Sequence, residues 1–139
     1  MKNSKFRVFG NISEAQRKLL LRMVSPAFEN IFCLAVTYAY GVTDDYPFPS
    51  GDVELVLDGY HRGYGCDALT GYLRSGIGIP LRRRPDGKIF HVTLSAMDGI
   101  APASAGDIDA DLIRPIEPIT LSVRLERGYP VRYQARKAA

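Results

Sequence analysis

Only two histidines occur in this 139-residue chain, and His91 stands in the run Phe90-His91-Val92-Thr93-Leu94-Ser95. Apolar and small residues fill that run without a helical period and no proline interrupts it, so it reads as a buried strand. Alternate residues of a strand share a side, which puts His91, Thr93 and Ser95 on one face and Phe90, Val92, Leu94 and Ala96 on the other. An imidazole that titrates near neutrality, set beside hydroxyls, offers proton transfer and hydrogen bonding. The opposite face is core.

An imperfect echo of this strand occurs at Leu34-Ala35-Val36-Thr37-Tyr38-Ala39. The same alternation puts Cys33, Ala35, Thr37 and Ala39 on the polar-equivalent face and Leu34, Val36 and Tyr38 inward. The echo continues downstream. After Val36-Thr37 come Gly41, Pro49 and Gly51-Asp52-Val53; after Val92-Thr93 come Gly99, Pro102 and Gly106-Asp107-Ile108. The order Val-Thr, Gly, Pro, Gly-Asp-aliphatic therefore occurs twice, the pattern of a duplicated unit. Two copies related by a pseudo-twofold axis would turn Thr37, His91 and Thr93 toward one groove.

The elements that must position these residues follow from local signals. Phe6-Arg7-Val8-Phe9 is a short strand. Ser13 with Gln16 three residues on forms a capping box, and Ala15, Leu19, Leu20, Met23 and Val24 make the apolar stripe of a helix. Arg17, Lys18 and Arg22 would form its solvated basic face, and Pro26 stops it. Residues 41–51, with Asp44, Asp45, Pro47 and Pro49, are loop; residues 53–58 alternate as a strand; residues 59–64, holding His61, have loop composition. Residues 66–73 fit either helix or strand, with strand preferred as half of a hairpin with residues 77–81. Pro85-Asp86-Gly87 is a turn leading into the His91 strand. Residues 119–127 and 131–135 form a closing hairpin, and the tail 136–139 frays. The chain is thus α+β: two pseudo-symmetric antiparallel sheet lobes with few helices.

Composition sets broader bounds. The length and the 46% hydrophobic content suit one domain spanning 1–139, with approximate lobes 1–60 and 61–139. No apolar run reaches spanning length and no signal peptide opens the chain, so a cytoplasmic protein without a membrane partner is expected. Cys33 and Cys66 lack metal-ligand spacing, and reduced thiols are expected with no metal and no cofactor. A net charge of +3 is too small for bulk or duplex nucleic-acid binding, and any anionic ligand must be recognised locally.

His91-Val92-Thr93-Leu94 resembles the His-x-Thr-aliphatic signature of the two-histidine phosphoesterases, whose bilobal fold carries one such motif on each lobe. The paired motifs, the basic Pro-Asp-Gly turn before the second and the proline-containing loop after the first are similar to a phage-associated branch. That branch includes enzymes that degrade the cyclic oligonucleotide messengers of bacterial anti-phage defence. The resemblance covers roughly residues 31–125. It implies a phosphodiesterase of cyclic oligonucleotides, or of 2′,5′-linked or cyclic-phosphate nucleotides, working in a bacterial host's cytoplasm. One histidine would act as general base and the other as general acid. The two threonine hydroxyls would hold the non-bridging phosphate oxygens.

His91, Thr93 and Thr37 match that scheme, but Ala35 stands where the first motif should begin with histidine. Ala35 cannot transfer a proton, so the chain should bind better than it cuts. Natural loss of the histidine would leave a nucleotide-binding sponge. A deliberate His-to-Ala change made to trap a ligand would leave the rest intact, and Thr37, His91 and Thr93 are intact. Around this centre, Tyr40, Tyr46, Tyr60 and Tyr64 could stack on nucleobases, Arg82, Arg83 and Arg84 with Lys88 could steer phosphate, and Ser95 shares the strand face of His91. Tyr38 should be core. His61 reads as a solvated loop residue, and Glu126, Asp52 and Asp107 as turn or surface residues.

Overall fold

A computed structural model describes residues 5–75, 80–130 and 136–137. It is α+β and dominated by sheet: β1 (Phe6–Asn11), α1 (Glu14–Met23), β2 (Asn30–Ile31), β3 (Ala35–Val42), β4 (Asp52–Arg62), β5 (Cys66–Arg74), β6 (Phe90–Ala96), β7 (Arg114–Gly128) and β8 (Arg136–Lys137). Two short 3-10 turns, Pro102–Gly106 and Ala110–Leu112, link β6 to β7.

The capping box forms as its sequence demands. Ser13 Oγ accepts from Gln16 N at 3.1 Å, and Ser13 N donates to Gln16 Oε1 at 2.9 Å. The buried stripe of α1 is rotated from the apolar pattern, however. Leu20 is fully buried, but Ala15 and Met23 are exposed, whereas Arg17 is buried. The Arg17 Nε donates to Phe32 O at 2.9 Å. A buried carbonyl needs a donor, and that need pulls one member of the basic face inward.

The strands run antiparallel in the order β3-β1-β7-β4-β5-β6-β2-β8. Within the first six, the order is symmetric about the β7–β4 pair: the Thr37 strand β3 lies outside β1 as the His91 strand β6 lies outside β5. Each half also sends its third strand, β4 or β7, into the middle of the sheet. β4 pairs with both β5 and β7, so a division at residue 60 would cut through it. The sheet curls because β2 and β3, far apart in this order, are separated in the chain only by residues 32–34. Phe32 N and Cys33 N donate to Leu94 O and Thr93 O, each at 2.8 Å. Cys33 then takes the left-handed conformation (φ 66°) and redirects the chain to β1. Across this seam Tyr38 stacks on Phe90, their ring centroids 6.2 Å apart.

One large core fills one side of the curl, drawing on β1, β3, β4, β5, β6 and β7, with Leu20 from α1. A smaller cluster of Phe32, Cys66, Ala68, Ala96 and Ala105 occupies the other side. Several phases differ from simple alternation. In β3 a bulge at Tyr38, between the pairs Phe9↔Thr37 and Val8↔Ala39, turns Ala39 into the core, and the bend at Cys33 buries that thiol there too. In β6 a register shift, with Ala68 opposite Thr93 but Asp67 opposite Ser95, exchanges the faces of Ser95 and Ala96. Bulges add a residue to one strand and so invert everything beyond them.

Other boundaries also moved. β4 extends through Gly59-Tyr60-His61-Arg62, which composition marks as loop, because β5 pairs with it as far as Arg62↔Asp67. Residues 66–74 are strand. Arg136–Lys137 pair with β2 rather than fraying, and β2 offers them an otherwise open edge. The strand proposed at 131–135, and most of the one at 77–81, lie outside the described residues; Leu81 forms a bridge to Leu73. The turn before β6 closes with Gly87 N donating to Arg84 O at 2.8 Å, Gly87 adopting the φ of 85° that suits glycine.

Candidate active site

His91 and Thr93 sit half-buried on the face of β6 turned away from the main core, flanked by Phe90, Val92 and Leu94 on the core side. Cross-strand partners in a sheet share a face, so the register places further residues beside them. Thr70 of β5 lies opposite His91, Ala68 opposite Thr93, and His61 of β4 opposite Ala68. His61 is therefore on the same face as His91, two strands away, and only 4% exposed. This corrects its reading as a solvated loop residue.

A short strap crosses this face. Thr93 Oγ1 donates to Pro102 O at 3.3 Å, and a Cβ built on Gly106 would stand 3.5 Å from the His91 Cε1 and 3.8 Å from its Nε2. Further along, Asp109 N donates to His61 Nε2 at 3.2 Å. Between these points, His61, Tyr64 and Ala105 line a cavity of about 140 Å³. The strap thus rests on both imidazoles, and a glycine at 106 lets backbone pass close to the His91 ring.

The two rings are in defined hydrogen-bonding states. His91 Nδ1 lies 3.2 Å from Ile89 O. A carbonyl oxygen only accepts, so in the neutral ring Nδ1 carries the proton and Nε2 presents its lone pair. His61 is the same tautomer for the opposite reason: its Nε2 is occupied as the acceptor for Asp109 N. Burial pushes the His91 pKa below the ordinary 6.5; the Ile89 hydrogen bond opposes this, Arg84 and Lys88 add to it, and Asp86 opposes it. At neutral pH His91 is consequently an unprotonated base whose Nε2 has no partner among the described residues.

On the other half, Thr37 is half-buried opposite Phe9, on the face away from the main core. Ala35 is half-buried opposite Asn11, whose Nδ2 donates to Glu126 Oε1 at 3.1 Å. Glu126, exposed, lies on β7 rather than in a turn. Arg7, buried, and Tyr40, 64% exposed, are register partners on the Thr37 side. Sequence reasoning passed over Arg7 because an arginine at a strand start gives no local sign of burial. The groove expected between the copies is not what the two cavities described here form, since neither is lined by Thr37, His91 or Thr93.

The remaining candidates divide sharply. Ser95 is fully buried and hydrogen-bonded to the Asp67 carboxylate, and its Oγ accepts from Phe28 N at 3.1 Å. It faces away from His91 and holds structure. Tyr60 is also removed from stacking on a nucleobase: it is buried in the core, and its hydroxyl donates to Asp67 Oδ2 at 2.6 Å. Tyr46 packs half-buried against the core, whereas Tyr64 is 89% exposed at the rim of the His61 cavity. Arg82 stacks over Tyr72, its Cζ 4.4 Å from the ring centroid. Arg83 Nη1 donates to Gly87 O at 3.3 Å. Arg84 is paired with Asp86 at 2.7 Å with its side chain 9% exposed, and its Nε is buried without a hydrogen-bond partner. Of the three, Arg84 is the one whose charge His91 feels.

Among the described residues no group of three or more His, Cys, Asp or Glu is arranged to hold a metal ion, and no helix is long and apolar enough to cross a membrane. Comparison with family models, curated proteins and solved structures gives no match to this chain.

Proposed function

We propose that the chain is a two-histidine-type phosphodiesterase acting on cyclic oligonucleotides, or on 2′,5′-linked or cyclic-phosphate nucleotides, in phage counter-defence, and that Ala35 slows it in this sequence. The observation that carries the reading is His91: a half-buried, neutral imidazole, fixed through Nδ1 by Ile89 O, with Nε2 unpartnered among the described residues and Thr93 on the same face. Support also comes from the symmetric strand order, which gives Thr37 the counterpart position in the other half. In this scheme His91 Nε2 takes a proton from the attacking hydroxyl or water, and Thr93 and Thr37 donate hydrogen bonds to non-bridging oxygens. The departing oxygen, which a histidine at position 35 would protonate, must take its proton from water in this sequence. Thr93 must exchange its bond to Pro102 O for one to phosphate, so substrate entry requires the Pro102–Gly106 turn to lift. Arg84, although paired with Asp86, is the arginine of the run whose charge reaches His91.

The second reading, a sponge that binds the same ligands without cutting them, is favoured by Ala35 and by the strap over His91. One substitution separates the two. General acid–base catalysis contributes about a hundred- to ten-thousand-fold. Ala35→His should therefore raise turnover of a panel of cyclic di- and trinucleotides and 2′,3′-cyclic nucleotides, assayed with a chelator present, by that order. A further His91→Ala should remove the gain. Tight binding without cleavage by Ala35→His selects the sponge; neither binding nor cleavage defeats both readings.

A further inference from the structure

Arg62 and His61 are neighbours on β4 and so point to opposite faces. On the Arg62 side, away from the His91 strap, lies a groove of about 920 Å³ between the end of α1 and the start of β7. Its apolar walls are Met23 and Val24 from the helix end and Leu112 and Ile116 from the β7 approach. Met23 and Leu112 are 52% and 63% exposed and face the same groove.

Two cations converge here. The Arg62 Cζ lies 5.1 Å from the Phe28 ring centroid and the Arg114 Cζ lies 5.1 Å from that of Tyr60. Face-on stacking orients a guanidinium while leaving its edge N–H donors for another partner. Neither arginine is in an ion pair among the described residues. Arg114 is the register partner of Tyr60, and Arg62, two residues further along β4, shares the face of Tyr60, so both arginines line the groove beside that ring. Glu117 is the single acidic lining residue against two arginines, and the Asp67 carboxylate beyond the Tyr60 hydroxyl is taken up by three hydrogen-bond donors.

We propose that this groove binds a small amphipathic anion, its phosphate, sulfonate or carboxylate head held between Arg62 and Arg114 and its apolar body against Met23, Val24, Leu112 and Ile116. The volume is that of a site for one compact ligand, commonly about 300–1,000 Å³. Two arginines beside one ring in a single groove suit one head group rather than the spaced charges of a peptide. The site is independent of the His91 face, so it stands or falls apart from the proposed phosphodiesterase.

The test titrates the full chain with 8-anilinonaphthalene-1-sulfonate, a flat apolar body bearing one anion, and follows its fluorescence. Saturable one-to-one binding is expected, weakened at least tenfold by the double change Arg62→Ala with Arg114→Ala and by Leu112→Asp. Lys18→Ala, an exposed helix change outside the groove, should leave it unaltered. All these side chains are exposed, and far-UV circular dichroism verifies the fold of each variant. Competition by decanoate assigns an acyl-chain body and competition by adenosine monophosphate a ring body. Displacement by neither, an unchanged dissociation constant in the double arginine variant, or equal weakening by Lys18→Ala overturns the proposal.

Discussion

Replacing Asp67 by alanine should be among the most damaging single changes this fold can suffer. The carboxylate is 1% exposed. Its Oδ2 accepts from the Tyr60 hydroxyl at 2.6 Å and from Ala27 N at 2.9 Å, and its Oδ1 accepts from the Ser95 hydroxyl. Three donors from three separate parts of the chain thus meet on one side chain. Leaving a buried donor unsatisfied costs about 1–3 kcal/mol, and shared relaxation makes the total less than additive, so Asp67→Ala should lower unfolding free energy by about 3–5 kcal/mol. Asp67→Asn keeps one accepting oxygen and should cost less, about 1–2 kcal/mol. Tyr60→Phe removes a donor and leaves the carboxylate two others, so about 1 kcal/mol is expected. Urea unfolding at neutral pH, with the m-value unchanged, reads all three as shifts in midpoint. Asp67→Ala within about 0.5 kcal/mol of the parent, or Tyr60→Phe costing as much as Asp67→Ala, would refute this account of the network and of Ser95 as a structural residue.

Other consequences follow from burial. The Cys33 pKa is pushed up to about 12, mainly by burial, with Arg17 opposing and Asp67 adding to the rise. Its thiol should resist alkylation at pH 8 in the native protein and react on unfolding, which mass spectrometry in a denaturant series would follow; rapid native labelling would contradict the buried position. Because the folded Cys33 pKa exceeds the unfolded value near 9, its stabilising contribution is complete below pH 9 and is lost as pH rises toward 12. His91 has the opposite sign. Its folded pKa lies below 6.5, so its contribution is complete above pH 6.5 and falls away as pH drops through the folded value. Thermal unfolding between pH 7 and 4.5 should show that loss reduced in His91→Gln, and identical profiles would place the imidazole in solvent. Arg17→Ala should cost about 1.5–3 kcal/mol through the lost charged hydrogen bond to Phe32 O, whereas Lys18→Ala on the exposed side should be nearly neutral by chemical denaturation.

What the sequence determined by itself is local. Ser13 and Gln16 close a capping box because the two groups lie within one helical turn, and Pro85-Asp86-Gly87 turns because its dihedral preferences are intrinsic. The strand carrying His91 and Thr93 was legible for the same reason: alternation is a property of neighbouring residues. The tertiary structure decided which polar groups were buried. His61 is held by Asp109, Arg17 by Phe32, and Ser95 by Asp67, partners 48, 15 and 28 residues away. No short window contains both members of such a pair. Composition accordingly marked residues 59–64 as loop, although β5 and β7 complete the ladder through Tyr60 and β5 carries it on to Arg62. Strand phase was lost wherever a bulge intervened, at Tyr38 and beside Ala68, because one unpaired residue inverts the faces beyond it without leaving a mark in residue type. The curl of the sheet is likewise a consequence of long-range pairings, between strands that no short window of sequence contains together.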